Sequence, residues 1–190
     1  MSDATSPSWD ALYATAELQA GYFTTAQGAE AGYSPQLLYK HLKAGRVRRG
    51  VYRLVHFPMS DDEHLVECWL WAEQAGVFSH ETALFYYDLS DVLPKHVHVT
   101  VPEEWRRRRL RVPEGLALHH GHVPEAERTW LGPVPITKPA RAIRDVIDAH
   151  LPPEHIERAL ADARYRGLLD GDEADRLEVR LRASQSAEHR

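Results

Sequence analysis

Apolar residues recur at helical spacing in three short segments at the start of the chain, and glycine, serine or proline bounds each segment. Ser6 and Ser34, each followed by proline, are typical of helix starts, because serine caps free backbone N–H groups and proline suits the first turn. Thr24 and Gln27 match the capping box that opens a helix. The pattern therefore predicts helices over 8–20, 24–31 and 35–44.

β-Branched and aromatic residues replace the helical pattern after Gly45. We expect one strand over 46–48, a turn at Arg49-Gly50 and a second strand over 51–55. Two antiparallel strands joined by a tight turn form a hairpin. A hairpin after three helices predicts a winged helix-turn-helix.

A second unit is predicted to begin after 57–62, a segment rich in the turn-forming residues proline, serine and aspartate. The run "HVHVTV" at 96–101 alternates strictly, which predicts a strand with His96 and His98 on one face, expected to be the solvent face. Further strands are predicted over 116–120 and 134–137, and helices over 63–75, 80–89, 138–150, 153–166 and 172–181.

These elements predict an α+β fold in two domains. The first is a winged helix-turn-helix over 1–58, and the second is a mixed α+β domain over 61–183 with a small sheet and several helices. The polar tail over 184–190 is expected to be disordered.

Charge separates the two predicted domains. The formal net charge is −5, but residues 1–60 hold six Lys and Arg against four Asp and Glu, whereas 61–190 hold 17 against 24. No carboxylate occurs between Ala31 and Ser60, so nothing within that segment neutralises its cations. Such a basic segment in an acidic chain favours an interaction with a polyanion, and double-stranded DNA is the expected partner.

The third helix and the hairpin carry the predicted DNA contacts. In a helix-turn-helix, the second helix of the pair enters the major groove, where polar and basic side chains on its outer face reach bases and phosphates. The hairpin arginines are expected to hold the DNA backbone. The alternatives are a solvated basic face and a winged fold that contacts another protein. The candidate DNA-binding residues are Thr24, Thr25, Ser34, Gln36, Tyr39, Lys40, Lys43, Arg46, Arg48, Arg49 and Arg53.

A second basic run, "WRRRRLR" at 105–111, lies between two predicted strands. It could be a solvated loop, a second nucleic-acid contact or a docking surface for an acidic partner. Nearby glutamates at 103, 104 and 114 weaken the last two interpretations. The residues concerned are Arg106, Arg107, Arg108, Arg109 and Arg111.

The chain has 12 histidines, which raises the alternative of a metal site. Neutral imidazoles bind zinc, and pairing of two predicted strands would bring several of them together. However, no His-x-x-x-His or Cys-x-x-Cys spacing occurs, so neither a metal site nor a cofactor is predicted. The histidines considered are His96, His98, His119, His120 and His122.

Catalysis has one specific candidate pattern. His80-x-Thr82 and His98-x-Thr100 match the short motif with which paired histidine phosphoesterases polarise a phosphate ester, but the first copy falls at a predicted helix start. The chain lacks the Asp/Glu-x-Lys pattern of metal-dependent nucleases after its predicted strand, and it lacks a phosphate-binding glycine loop. We therefore predict that the protein is not an enzyme, with a histidine-dependent phosphoesterase or nuclease as the alternative.

The cellular location is expected to be the cytoplasm. No stretch approaches the roughly 20 apolar residues of a membrane helix, and the N-terminal segment lacks a secretory signal pattern. Cys68 is the single cysteine, so the chain cannot form an internal disulfide. No membrane partner is expected.

The stretch "GYFTTAQGAEAGYSPQLLYKHLKAGRVRRGVYRL" at 21–54 resembles the N-terminal winged-helix domain of the AbiEi family, the antitoxins of bacterial type IV toxin-antitoxin systems. The second unit is also similar to that family, through "SHETAL" at 79–84, "HVHVTVPE" at 96–103 and "VPITKPARAIRDV" at 134–146. The matching N-terminal positions are 23–26, Gly32, Ser34, Leu37, Leu42, Gly45 and 49–52.

The resemblance implies a bacterial antitoxin that represses its own promoter through the winged domain. It further implies that the C-terminal domain opposes a nucleotidyltransferase-like toxin, with which it need not form a stable complex. A winged-helix transcription factor that acts without a toxin is the alternative.

Overall fold

The structure is a computed structural model that describes residues 6–41, 45–48, 50–89, 91 and 93–188. The chain divides into two compact units, which we describe separately. Unit 1 comprises Met1–Ala75 with Gly132–Val134, and unit 2 comprises Gly76–Leu131 with Pro135–Arg190. None of the helices among the described residues is long and apolar enough to cross a membrane.

Unit 1 has a winged helix-turn-helix architecture. Its sheet has the order β1-β3-β2, with both pairings antiparallel, and α2 and α3 form the helix-turn-helix pair. This confirms the predicted fold of the N-terminal part of the chain. The elements are α1 (Trp9–Glu17), β1 (Tyr22–Thr24), α2 (Thr25–Glu30), α3 (Pro35–His41), β2 (Gly45–Arg48), β3 (Val51–Arg53) and α4 (Glu63–Trp71).

Capping side chains set the helix starts in unit 1. The predicted capping box is confirmed, because Thr24 Oγ1 accepts from the Gln27 backbone N–H at 3.1 Å and Gln27 Oε1 accepts from the Thr24 N–H at 2.8 Å. The first helix is capped by Ser8, which accepts from Ala11 N at 3.2 Å, so the prediction of Ser6 as its cap is wrong. Both serines suit this position, and only Ser8 lies directly before the first helical residue.

A small apolar core joins the helices of unit 1 to its sheet. Leu12, Phe23 and Leu38 are fully buried, and they come from α1, β1 and α3 respectively. Burying each such side chain contributes about 1.5–3 kcal/mol, so these contacts hold α3 against the sheet. The core therefore fixes which face of α3 points outward.

Helix α4 belongs to unit 1, although the sequence analysis places it at the start of the second domain. It contacts β1 and β3, and Glu63 in its first turn lies 3.2 Å from Arg53 at the end of β3. The unit boundary therefore falls after Ala75, and the predicted boundary at 57–62 is wrong. The turn-forming residues at 57–62 indicate only a local bend in the chain. Helix α4 joins unit 1 because it packs on β1 and β3.

Unit 2 is an α+β unit built on a five-stranded mixed sheet of order β6-β5-β4-β8-β7. Strand β5 pairs antiparallel with β4 and parallel with β6, and β4 pairs parallel with β8. The elements are β4 (Val77–Phe78), α5 (His80–Tyr86), β5 (Val97–Val101), β6 (Leu116–His120), β7 (Arg128–Leu131), β8 (Val134–Thr137), α6 (Pro139–Asp148), α7 (Pro153–Tyr165) and α8 (Gly171–Glu188), with 3₁₀ turns at Glu103–Arg107 and Glu125–Glu127.

The last helix is longer than the sequence pattern predicts. Helix α8 continues past Leu181 to Glu188, so the prediction of disorder from residue 184 is wrong for 184–188. Residues 189 and 190 of that predicted tail lie outside the described part of the chain. No glycine or proline follows Leu181, and alanine, glutamine and glutamate favour continued helix.

Candidate functional site

The outer face of α3 is exposed and polar. Gln36, Tyr39 and Lys40 are all exposed, with 81% of Tyr39 accessible, whereas Leu38 on the opposite face is fully buried. Residues three and four apart lie on one side of a helix, so these three side chains share a face. The structure thus presents them together, as the sequence predicts.

Three hydroxyl groups among the predicted DNA contacts also hold the helix-turn-helix in place. Thr24 caps α2, and Thr25 Oγ1 donates to Gly50 O at 3.3 Å in the hairpin turn. Ser34 Oγ accepts from Leu37 N at 3.1 Å and is exposed, so its own O–H remains available as a donor. Ser34 is therefore the best placed of the three to contact a phosphate.

Arg53 has a structural role instead of the predicted DNA contact. Its Nη2 atom donates to Phe57 O at 2.9 Å and Pro58 O at 3.1 Å, and it lies 3.2 Å from Glu63 Oε2. Only 15% of the side chain is exposed. Arg53 therefore ties β3 to the start of α4, and we remove it from the DNA-binding set.

The remaining cations of the predicted DNA-binding set are Lys43 of the predicted third helix and the hairpin residues Arg46, Arg48 and Arg49. Arg46 and Arg48 lie on β2, which pairs with β3, and their side chains are not described. Lys43 and Arg49 lie outside the described residues. The predicted DNA contacts of these four residues stay predictions.

Two arginines of the second basic run, 105–111, contact other residues of unit 2. Arg106 donates from Nε to Glu103 Oε1 at 2.6 Å, and the Arg108 guanidinium lies 4.0 Å from the centre of the Trp105 ring. The other three arginines of the run, at 107, 109 and 111, are exposed. The structure thus assigns intramolecular partners to two of these five residues.

Three histidines from separate elements of unit 2 form a cluster, which we call the histidine cluster: His80, His98 and His119. One nitrogen from each ring lies within 4.8 Å of the other two. His80 begins α5, His98 lies on β5 and His119 lies on β6. His98 and His119 belong to the predicted group of candidate metal ligands, whereas His80 is paired with His98 only in the His-x-Thr motifs of the phosphoesterase alternative.

Hydrogen bonds and stacking order the histidine cluster. His80 Nδ1 lies 2.8 Å from Ser79 Oγ, and His98 Nε2 lies 3.0 Å from Glu81 Oε2. His98 Nδ1 and His119 Nε2 are 3.0 Å apart, and the His80 and His119 rings stack with centroids 3.5 Å apart. His98 is thus half-buried among other groups, so the prediction that it faces solvent is wrong.

Burial disfavours the protonated form of all three rings. Burial is the largest cause of a lowered pKa in all three rings, and neighbouring histidines add to it. The pKa falls to about 3 for His80 and to about 4 for His119, and it is also lowered for His98. A neutral imidazole keeps one unprotonated nitrogen that can accept a hydrogen bond or bind a metal.

A cleft of about 360 Å³ adjoins the cluster and is lined by His80, His119, Arg141 and Asp145, among others. Arg141 Nε donates to Asp145 Oδ1 at 2.6 Å, while Asp145 Oδ2 is buried without a hydrogen-bond partner among the described residues. Burial raises the pKa of Asp145, against the opposing effect of Arg141. One residue that lines the cleft therefore carries a buried acceptor that no described group satisfies.

The two His-x-Thr motifs do not form the arrangement that the phosphoesterase alternative requires. His80 begins a helix, whereas that alternative needs both motifs on neighbouring strands. Thr82 Oγ1 accepts from the His98 backbone N–H at 2.7 Å, and Thr100 Oγ1 lies 2.7 Å from Ser79 Oγ. Both threonine hydroxyls thus have intramolecular partners.

The element order and strand pairing define the chain as a winged helix-turn-helix unit followed by an α+β unit. No protein-family model and no curated protein sequence matches the chain. Among solved structures it is similar to the RV2827C protein from Mycobacterium tuberculosis, with 15% identity and a TM-score of 0.41 over 91% of this chain and 75% of that chain. A likeness this distant carries no information about function.

Proposed function

We propose that the protein binds double-stranded DNA through α3 and the β2–β3 hairpin and regulates transcription. One observation carries the proposal: Gln36, Tyr39 and Lys40 project together from the second helix of a helix-turn-helix. In this architecture that face enters the major groove. The absence of any carboxylate between Ala31 and Ser60 keeps the surrounding potential favourable for phosphates.

The three side chains suit different parts of a DNA site. Gln36 can pair with adenine through two hydrogen bonds, and Lys40 can donate to guanine or to a phosphate. Tyr39 offers a hydroxyl donor and an apolar ring on the same surface. Base contacts would give sequence preference, and the cations would give affinity that depends on salt.

The first prediction concerns binding of the full chain to DNA from upstream of its own gene. Replacing Gln36→Ala and Lys40→Ala together should weaken binding at least about tenfold, because one base contact is worth about 1–3 kcal/mol. Loss of one phosphate contact should reduce the slope of log affinity against log salt by about 0.9. Fluorescence anisotropy with labelled duplexes at several salt concentrations measures both effects.

Lys95→Ala provides the matched control, since Lys95 is an exposed lysine in unit 2 and its loss changes the net charge by the same amount as Lys40→Ala. This variant should bind as the wild type does. Equal affinity for the wild type, the double variant and the control would contradict the proposal.

The antitoxin role goes beyond this geometry and rests on the resemblance to the AbiEi family. The exposed α3 face supports DNA binding alone, so repression of its own promoter and opposition to a nucleotidyltransferase-like toxin both stay predictions of the resemblance. Regulation of a promoter would place the protein in the cytoplasm. Rescue of growth when the chain is co-expressed with such a toxin from the adjacent gene would support the antitoxin role.

A further inference from the structure

The histidine cluster of unit 2 plays no part in the proposed DNA interface. Three imidazoles from α5, β5 and β6 meet beside a polar cleft. We propose that His80, His98 and His119 form a binding site for a divalent transition metal, and that Zn²⁺ is the ion that suits it. This proposal does not rest on DNA binding, and either can fail without the other.

The nitrogen separations suit a single ion. Zinc binds imidazole nitrogen at about 2.0–2.1 Å, so two ligands in a tetrahedral site lie about 3.3 Å apart. His98 Nδ1 and His119 Nε2 are 3.0 Å apart, and no separation within the cluster exceeds 4.8 Å. The upper bound of 4.8 Å exceeds the tetrahedral spacing by about 1.5 Å, so binding requires the stacked His80 and His119 rings to tilt apart by no more than about that distance.

Outer hydrogen bonds orient two of the three ligands. Metal-binding histidines usually donate their second ring N–H to a carboxylate or another acceptor, which fixes the tautomer. Glu81 is placed to accept from His98 Nε2, and Ser79 is placed to accept from His80 Nδ1. Each ring therefore keeps its other nitrogen as a lone-pair donor for the metal.

A hydrogen bond joins the His98 and His119 rings when no metal is bound. In the His98 tautomer that donates from Nε2 to Glu81, Nδ1 is an acceptor, and the 3.0 Å contact then calls for a proton on His119 Nε2. Metal binding replaces this proton, and His119 binds as its other neutral tautomer with the proton on Nδ1. The step involves no oxidation and no net change in protein charge.

The ligand set selects among metals. Calcium and magnesium prefer oxygen ligands, whereas imidazole suits zinc and its neighbours in the transition series. Three histidines leave a fourth coordination position of zinc open for water, as in zinc sites that remain accessible. Asp145, which lines the adjoining cleft, also carries a buried acceptor, Oδ2, without a partner among the described residues.

The backbone of His80 is strained. Its φ of 53° lies in the left-handed region, which non-glycine residues adopt uncommonly. Strain of this kind persists where the surrounding structure requires a particular side-chain position.

The test uses the full chain without a polyhistidine tag, treated with a chelator and then titrated with ZnCl₂ by calorimetry. We expect one Zn²⁺ per chain for the wild type. His98→Gln and His119→Gln should each weaken zinc binding at least about tenfold, and Glu81→Gln should weaken it about tenfold or more as an orienting partner. X-ray absorption of the zinc-loaded wild type should show three imidazole ligands.

His96→Gln is the matched control, because His96 is exposed and lies two positions from His98 outside the cluster. It should bind zinc as the wild type does. The absorption measurement needs no variant, so the proposal stays testable if a cluster variant fails to fold. Absence of a stoichiometric site, fewer than three imidazoles, or equal zinc affinity in folded His98→Gln and His119→Gln variants would overturn it.

Discussion

At the scale of single residues, the partly exposed carboxylate of Glu127 links two elements of unit 2 through two arginines of α6. Arg141 and Arg144, both on α6, donate to its Oε2 atom at 2.6 and 2.8 Å. Burial alone would raise the pKa of Glu127, but these hydrogen bonds and charges outweigh it and lower the pKa below its usual value. The carboxylate thus joins the 3₁₀ turn at Glu125–Glu127 to α6.

The second prediction follows from that pKa. A carboxyl group with a lowered folded-state pKa stabilises the protein above its unfolded pKa of about 4.3, and the contribution disappears as pH falls through the lower folded value. Glu127→Gln should therefore lower the free energy of unfolding by about 1 kcal/mol at pH 7, with a smaller difference from wild type at acidic pH. Urea unfolding of both proteins across this pH range measures the difference in free energy of unfolding.

Glu125→Gln is the control, because Glu125 is exposed in the same turn, and it should have little effect on stability. A loss of stability in Glu127→Gln that does not depend on pH would contradict the explanation.

At the scale of elements, the packing of the α1–β1 connection against Phe57 depends on one glycine. Gly21 follows α1 with a φ of 85°, and its N–H donates to Ala16 O at 2.8 Å. A Cβ atom there would lie 2.5 Å from Phe57 Cγ and 2.6 Å from Phe57 Cβ. The base of the Phe57 side chain cannot rotate away, so this contact requires glycine.

The third prediction compares two glycines of unit 1. Gly21→Ala combines a left-handed backbone with a steric clash, whereas Gly50→Ala has a similar φ of 83° and nothing within 4 Å of the added Cβ. Gly21→Ala should therefore destabilise the protein by about 1–3 kcal/mol more than Gly50→Ala, the usual cost of overpacking. Denaturant unfolding of both variants gives the difference, and equal stabilities would rule out the clash.

At the scale of the whole molecule, charge is distributed unequally, with a basic excess in the first 60 residues and an acidic excess in the rest. Residues 61–190 hold 24 acidic against 17 basic residues, so most of the second half should be repelled by DNA. The exposed arginines at 107, 109 and 111 are the exception to this distribution, although Glu103, Glu104 and Glu114 surround them in sequence. The winged unit should therefore supply the DNA affinity.

The fourth prediction tests this division. Replacing Arg107, Arg109 and Arg111 together with alanine should change DNA affinity by less than about threefold, because carboxylates already offset the local potential. The anisotropy assay and salt series used for the α3 variant apply here unchanged. A loss as large as that of the Gln36 and Lys40 double variant would show that this loop is a second DNA contact.

Local signals in the sequence predict much of the fold. Capping residues, helical periodicity and the hairpin turn identify α2, α3 and the wing, since each depends on residues close together in the chain. Strands β1, β4 and β7 were not predicted. The first two have three and two residues, too few to display a period of two, and their strand character comes from pairing with distant partners.

The sequence by itself determined the winged helix-turn-helix, the α+β class and the exposed polar face of α3, because these follow from short-range patterns. Only the tertiary structure decided that Arg53 anchors α4, that α4 joins unit 1 and that His80 meets His98 and His119. Each of these outcomes depends on which distant elements pack together. The physical reason is that packing is set by the apolar faces and pairing edges of several elements at once, which no single stretch of sequence contains.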